Sequence, residues 1–217
     1  NEQFELLVKS RTPLILIRSR EEERVEELMR EAIKLSSHIR LANWNFVEGL
    51  QGVLNSEGIG ARQPMAVLNW LQKVDSSLPT ILFAKDFHRF TEDAGIARML
   101  KILCAEFRRT PHTIVLCSYD WIPSSDLDDS LTILDLPLPQ ENELKTLLKN
   151  IGNASDSNLN KETLEALTHA CSGLSETRVR QVAAKALAQR GKLSQADLEE
   201  VLEEKRQAVA RSEVLEY

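Results

Sequence analysis

Two short runs, ILFA at 81–84 and TIVLC at 113–117, constrain this chain more than any other feature. Each is apolar at consecutive positions rather than at alternate ones, so neither face of such a strand can be left to water. They require a sheet covered by helices on both sides. Other β-rich runs fall at 14–18, 41–47 and 131–136, and the two central ones extend to 80–85 and 113–118. Between them, Val25, Leu28, Met29, Ala32 and Ile33 recur at helical spacing, as do Met65, Leu68 and Leu71, and then Ile96, Met99, Leu100, Leu103 and Phe107. Strands alternating with helices give a parallel α/β sheet.

After Pro137 and Pro139 the pattern becomes helical throughout. Four apolar stripes follow, led by Leu144, Leu164, Val179 and Leu198, with Gly173 and Gly191 as helix stops and Ser194 and Asp197 as a capping pair. The expected organisation is an α/β part over 1–139 and a helical part over 140–217, joined by the stiff LPLP run at 136–139, with a polar loop at 152–160.

Composition narrows the function classes. A net charge of −6 disfavours general nucleic-acid binding, which needs a basic face. No stretch reaches the roughly 18 apolar residues of a membrane span, so no membrane partner is expected. Cys104, Cys117 and Cys171 are odd in number and sit in apolar patterns, which fits buried thiols in a reducing compartment. His38, His88, His112 and His169 never share a helical face at ligand spacing, so no metal site is expected. The first residue is Asn rather than Met, which suits a piece of a longer protein.

The segments WNFVEGL (44–50), FAKDFHRF (83–90), FRRTPHTIVLCS (107–118) and IPSSDLDDSLTILDLPLP (122–139), in this order and spacing, resemble the amino-terminal domain of one AAA+ family. It is the hypothetical chloroplast open reading frame forty-six AAA+ ATPase family of cyanobacteria and plastids. The resemblance covers nearly the whole chain. It implies an AAA+-like five-stranded parallel sheet in the order 5-1-4-3-2, sandwiched by helices and followed by a small all-helical lid. It also implies an ATPase-competent module beginning after Tyr217, with ATP and magnesium as cofactors of the full-length protein and none in this segment. The implied partners are that module and neighbouring subunits of a homo-oligomer, a hexamer when full-length. The implied setting is the cyanobacterial cytoplasm or the chloroplast stroma, with a loose link to photosynthesis or carbon uptake.

Against that family's chemistry the residues read as a degenerate nucleotide site. A phosphate loop needs glycines whose N–H groups converge on phosphate, a lysine, and a Ser or Thr for magnesium. Here the strand runs into IRSREEER instead. Glu21, Glu22 and Glu23 are expected in the first helical turn, as carboxylates suited to the helix dipole. A triphosphate there would meet like charge worth about 4 kcal/mol per close pair at an effective dielectric of about 20. Arg18, Arg20 and Arg24 offset part of this without restoring the backbone cradle. At the end of the third expected strand Asp86 keeps the first acid of an ATPase pair, and Phe87 replaces the second. The bland reading has Asp86 accepting backbone hydrogen bonds and Phe87 packing beneath the loop, while His88 is a base with nothing to act on. Ser118 stands at a sensor position, and YDWIPSSDLDDS holds Asp126, Asp128 and Asp129 but no arginine finger. In the lid, Arg178 and Arg180 fall near a second sensor position and read equally well as a solvated helix face.

The first functional reading is therefore a non-catalytic AAA+-like domain that supports assembly, recruits an unknown protein partner or regulates the adjoining ATPase. A second is nucleic-acid handling, as in degenerate clamp-loader subunits, through a basic turn of Arg108, Arg109 and His112 joined by Arg98 and Lys101. A third is a solitary nucleotide binder with an unconventional site. Of the tryptophans, Trp70 is expected in the core and Trp121 as an exposed contact.

Overall fold

The structure is a computed structural model that describes residues 2–34, 38–54, 58–124, 127–157 and 159–215, without the side chains of residue 128 and residues 208–215. The chain divides into two compact units, Asn1–Leu136 and Pro137–Tyr217.

The first unit is built on β1 (Leu14–Arg18), β2 (Arg40–Asn45), β3 (Gly49–Gln51), β4 (Thr80–Ala84), β5 (His112–Cys117) and β6 (Leu131–Asp135). All five positions of β4 and all six of β5 are buried, as consecutive apolar residues require. The sheet has six strands among the described residues, in the order β3-β2-β4-β5-β1-β6. Five of them are parallel, with Ile15 opposite Val115 and Phe83 opposite Val115 from the other side. The expected count of five is corrected by β3, which pairs antiparallel with β2 and sets Leu50 opposite Trp44. With only three residues, β3 is too short to carry a period. It is made by turns at Gly49 and Gly52, which have φ of 76° and 81°. A Cβ on Gly49 would come 2.7 Å from the Ile59 carbonyl oxygen, so this hairpin requires glycine there.

Helices α1 (Glu2–Lys9), α2 (Glu22–Ile33), α3 (Pro64–Gln72) and α4 (Ala94–Phe107) cover the sheet. One face packs Leu14, Leu16, Leu82 and Ile114 with Leu68 of α3 and Leu100 of α4. The other packs Ile15, Ile17, Phe83 and Val115 with Phe4 of α1 and Val25 and Met29 of α2. Each fully buried aliphatic or aromatic side chain contributes about 1.5–3 kcal/mol. Helix α1 was not expected from the sequence. It is short and ends in a reversal in which Arg11 N–H donates to the Val8 carbonyl and Thr12 N–H to the Leu7 carbonyl, at 3.0 Å each.

The second unit is helical: α5 (Glu141–Ala154), α6 (Lys161–Cys171), α7 (Glu176–Arg190) and α8 (Leu198–Leu215). Leu144, Leu148, Leu164, Leu167, Val179 and Val201 form its core. The polar loop begins later than position 152, because Gly152 is a buried residue of α5. Gly191 ends α7 in the left-handed conformation. Asp197 does more than cap. Its carboxylate is almost fully buried, accepts from Ser194 N–H at 2.6 Å and pairs with Arg190.

Candidate functional site at the C-terminal edge of the sheet

In a parallel sheet the loops leaving the C-terminal strand ends converge on one edge, where such folds place their ligands. Here those loops follow β1, β4 and β5.

Leaving β1, Arg18 is exposed and stands 3.8 Å from Asp135 at the end of β6. The buried Ser19 hydroxyl accepts the Glu21 N–H at 3.0 Å. Arg20 lies over the Tyr119 ring, 4.1 Å from its centroid, and the Cys117 thiol meets the Ser19 carbonyl at 3.4 Å. The loop after β1 is thus tied to the strand and loop of β5. Of the three glutamates expected in the first turn of α2, Glu22 and Glu23 are there, while Glu21 occupies the cap position. The Glu21 side chain makes no capping hydrogen bond; it is buried, 3.7 Å from Arg24.

Where β4 ends, Lys85 reaches back to α2, with Nζ 3.1 Å from Glu26 Oε2. Asn43 Nδ2 on β2 donates to the same carboxylate at 2.9 Å, and Arg30 pairs with it one turn along. Burial pushes the Glu26 carboxyl up, but the hydrogen bonds from Arg30, Lys85 and Asn43 outweigh it and hold its pKa below the ordinary value. Glu22 fares the opposite way. Burial raises its pKa, Lys85 opposes, and Asp86 and Glu26 push it further up. Three carboxylates and one ammonium therefore crowd this corner, and Glu26 takes the ammonium.

Asp86 adopts φ 55° and leads into a single 3-10 turn, Phe87–Phe90. Its carboxylate accepts from Arg89 Nε at 3.3 Å, where the sequence suggested backbone donors. Phe87 is fully buried, edge-on to Trp44 at 5.3 Å, so it closes the core at the position of the second acid. His88 is half-buried with its ring 5.9 Å from that of Trp121, and its Nδ1 has no hydrogen-bond partner. Burial lowers its pKa, partly countered by Asp86. After β5, Ser118 is buried; its hydroxyl accepts the Trp121 N–H at 3.3 Å and lies 3.4 Å from Asp120. Trp121 packs on the core, and Ile122 beside it is the exposed residue. Asp126 lies outside the described residues, as does the Asp128 side chain, and Asp129 is exposed.

The remaining candidates lie apart from this corner. On α4 and its end, Arg98, Arg108 and Arg109 are exposed and Lys101 is half-buried. His112 does not join them. It is the buried first residue of β5, edge-on to Phe107 at 5.3 Å, and burial lowers its pKa, so it adds no charge to the turn at neutral pH. In the second unit Arg178 pairs with Glu204 of α8, and Arg180 Nε donates to Glu176 at 2.9 Å on its own helix. Burial pushes the thiols of Cys104, Cys117 and Cys171 up to about 11, about 12 and about 11, which keeps them protonated. No cluster of three metal-ligating side chains occurs among the described residues, and no described helix is long and apolar enough to cross a membrane. Sequence reasoning missed Glu26 and Asn43. The signal was present in part, since Glu22 and Glu26 lie four residues apart on one helical face.

A parallel sheet with its loops gathered at this edge, followed by a helical unit, is the arrangement of an AAA-type domain. The fold resembles the AAA domain of FIGL-1 solved with ADP, with a TM-score of 0.62 and 11% identity over 88% of this chain and 70% of that one. It also resembles the Thermotoga maritima RuvB Holliday junction branch migration motor, with a TM-score of 0.57 and 14% identity over 93% of this chain and 64% of that one. Residues 1–136 match the SpoVK-like AAA ATPase N-terminal domain and residues 142–212 the second domain of the same family. The chain belongs to the SpoVK-like AAA ATPase family. Among its relatives, the AAA domain-containing protein ycf46 of Trieres chinensis is 34% identical over all of this chain and 44% of its own length. That of Guillardia theta is 34% identical over 99% of this chain and 42% of its own length, so the chain spans less than half of these relatives. The resemblance carried by WNFVEGL and FAKDFHRF thus leads to the right family.

Proposed function

We propose that this chain is a non-catalytic AAA-type domain that supports assembly, recruits a protein partner or regulates an ATPase module elsewhere in the full-length protein. The observation that carries the reading is the Glu26–Lys85 pair at 3.1 Å, with Glu22 and Asp86 beside it. The corner where a nucleotide's phosphates would lie is already occupied by the chain's own charges. A magnesium triphosphate does not fit it. The Glu21 N–H is held by Ser19, the ammonium of Lys85 by Glu26, and the acids would face the phosphates without an intervening cradle of N–H groups. Phe87, buried against Trp44, leaves no carboxylate to polarise an attacking water.

In this reading ATP and magnesium belong to the full-length protein, which forms a homo-oligomer, a hexamer, in the cyanobacterial cytoplasm or the plastid stroma. Calorimetry with Mg-ATP on this chain and on the full-length protein, with light scattering on both, tests it. The chain should give no binding heat while the full-length protein binds and assembles. Hydrolysis by the chain that disappears in Asp86→Ala would overturn the proposal.

Exposure of Arg98, Arg108 and Arg109 supports the second reading, a nucleic-acid contact along α4. Oligonucleotide binding at low salt that weakens in Arg108→Glu and Arg109→Glu would favour it; absence of binding at low salt removes it.

A further inference from the structure

The opposite edge of the sheet is built differently. Between α1, the end of α2 and the segments entering the central strands lies a cavity of about 280 Å³. Its apolar walls include Phe4 and Val8 of α1, Ile33 of α2, and Ile39 and Ile81 at the sheet. These walls offer water little to bond to, so the part of the space they enclose favours an apolar occupant. Its size falls near the lower end of small-molecule sites, about 300 Å³.

The rim is charged, and the charges are not balanced. Glu5 and Lys9 pair at 3.3 Å and cancel, and His38 stands beside them. Arg11 has no carboxylate within ion-pair distance among the described residues. Its Nη1 donates to the Arg109 carbonyl at 3.1 Å, which leaves most of its five donors available. The backbone beneath it is also unusual. The Thr12-to-Leu7 and Arg11-to-Val8 hydrogen bonds form a Schellman reversal that places Arg11 at φ 57°, a position where glycine is the usual residue. A non-glycine residue in this region carries strain of about 1–3 kcal/mol, a pattern that concentrates at ligand clamps. In a chain of net charge −6, a cation without a carboxylate partner among the described residues therefore stands at the mouth of a largely apolar pocket, on a backbone that disfavours its side chain.

We propose that this cavity binds a medium-chain monocarboxylate, with its alkyl tail against Phe4, Val8 and Ile81 and its carboxylate on the Arg11 guanidinium. A guanidinium matches a carboxylate through two parallel N–H donors, which a neutral head group cannot reproduce. The site is independent of the reading of the nucleotide edge.

Titration calorimetry of the chain with decanoate, decanol and acetate, all below their aggregation concentrations, tests the assignment. Decanoate should bind saturably at one site, decanol about tenfold more weakly, and acetate not measurably. Arg11→Gly should melt no lower than the parent chain, because glycine suits the reversal, and should bring decanoate down to the affinity of decanol. Val8→Phe should fill the pocket and abolish binding of both. No saturable decanoate binding overturns the proposal. So does binding that Arg11→Gly leaves unchanged, or decanol binding as tightly as decanoate. If Val8→Phe does not fold, Arg11→Gly alone decides the matter.

Discussion

The two edges of one sheet have been finished in opposite ways, and helix α2 spans the difference. Its sequence EERVEELMREAI is acidic in the first turn and closes on the apolar pair Ala32 and Ile33. The first turn meets the C-terminal edge, where Glu22 and Glu26 face Lys85 and Asp86 and the polar groups answer one another. The last turn meets the N-terminal edge, where Ala32 and Ile33 face a cavity without a side chain to fill it. Carboxylates at a helix N-terminus are favourable in themselves. An anion there needs no ligand to justify it. The comparison teaches that the edge where AAA-type folds take nucleotide is here taken up by the chain's own charges, and that the edge with spare volume and a cation unpaired among the described residues is its opposite.

The largest effect on this contrast should come from Phe87→Ala. The side chain is fully buried against Trp44 and Phe90, so its loss should cost about 3–5 kcal/mol in chemical denaturation. A cost below about 1 kcal/mol would mean that the nucleotide edge is not closed by this residue. Next comes the Glu26–Lys85 pair. A double-mutant cycle of Glu26→Ala and Lys85→Ala should give a coupling of about 1–3 kcal/mol, since both groups are mostly buried and charge-assisted. The exposed Arg180–Glu176 pair, as control, should give roughly 0.5 kcal/mol or less.

A smaller effect should follow pH. Burial holds the His112 imidazole below its ordinary pKa of 6.5 in the folded chain. Above that value both states are neutral and the group contributes nothing. As pH falls below 6.5 the unfolded chain takes up a proton that the folded chain resists, so stability drops until the lowered folded pKa is reached. His88 acts in the same direction. Melting temperatures between pH 8 and pH 5 should fall, and His112→Phe, which keeps the contact with Phe107, should flatten the decline.

Most of the sheet could be read from residues alone because β4 and β5 are buried on both faces, and short consecutive apolar runs set between helical patterns suit strands covered on both sides. The hairpin strand β3 could not, since its three residues owe their conformation to Gly49 at its start, Gly52 just after it, and the Leu50 N–H bonding the Ile59 carbonyl eight residues beyond β3. Helix α1 went unseen because its eight residues bury only Phe4. At the site, the missing glycines and the apolar Phe87 were plain in the sequence. That Lys85 answers Glu26 was not, because the pair joins residues far apart in the chain, brought together where the start of α2 meets the end of β4. His112 misled for the same reason: beside Arg108 and Arg109 it reads as basic, and only the strand's position in the sheet buries it.

The smallest effect should fall on Glu22, and it tests whether the nucleotide edge is fully satisfied or slightly overcharged. Burial, with Asp86 and Glu26 adding to it and only Lys85 opposing, raises its pKa above the ordinary 4.5. At neutral pH the ionised side chain is therefore held against its preference, and Glu22→Gln should raise stability by roughly 0.5 kcal/mol. The pH dependence has a definite sign. As pH falls through the raised folded pKa, the folded chain takes up a proton before the unfolded chain does, so the parent gains on the variant. That gain is complete below 4.5, where both states are protonated. Denaturation of both chains at pH 7 and pH 4 should show the variant ahead at the first and its advantage gone at the second. An advantage for the parent at pH 7 would mean that Glu22 is held by its neighbours as firmly as Glu26, and that the corner has no surplus of negative charge to turn a phosphate away.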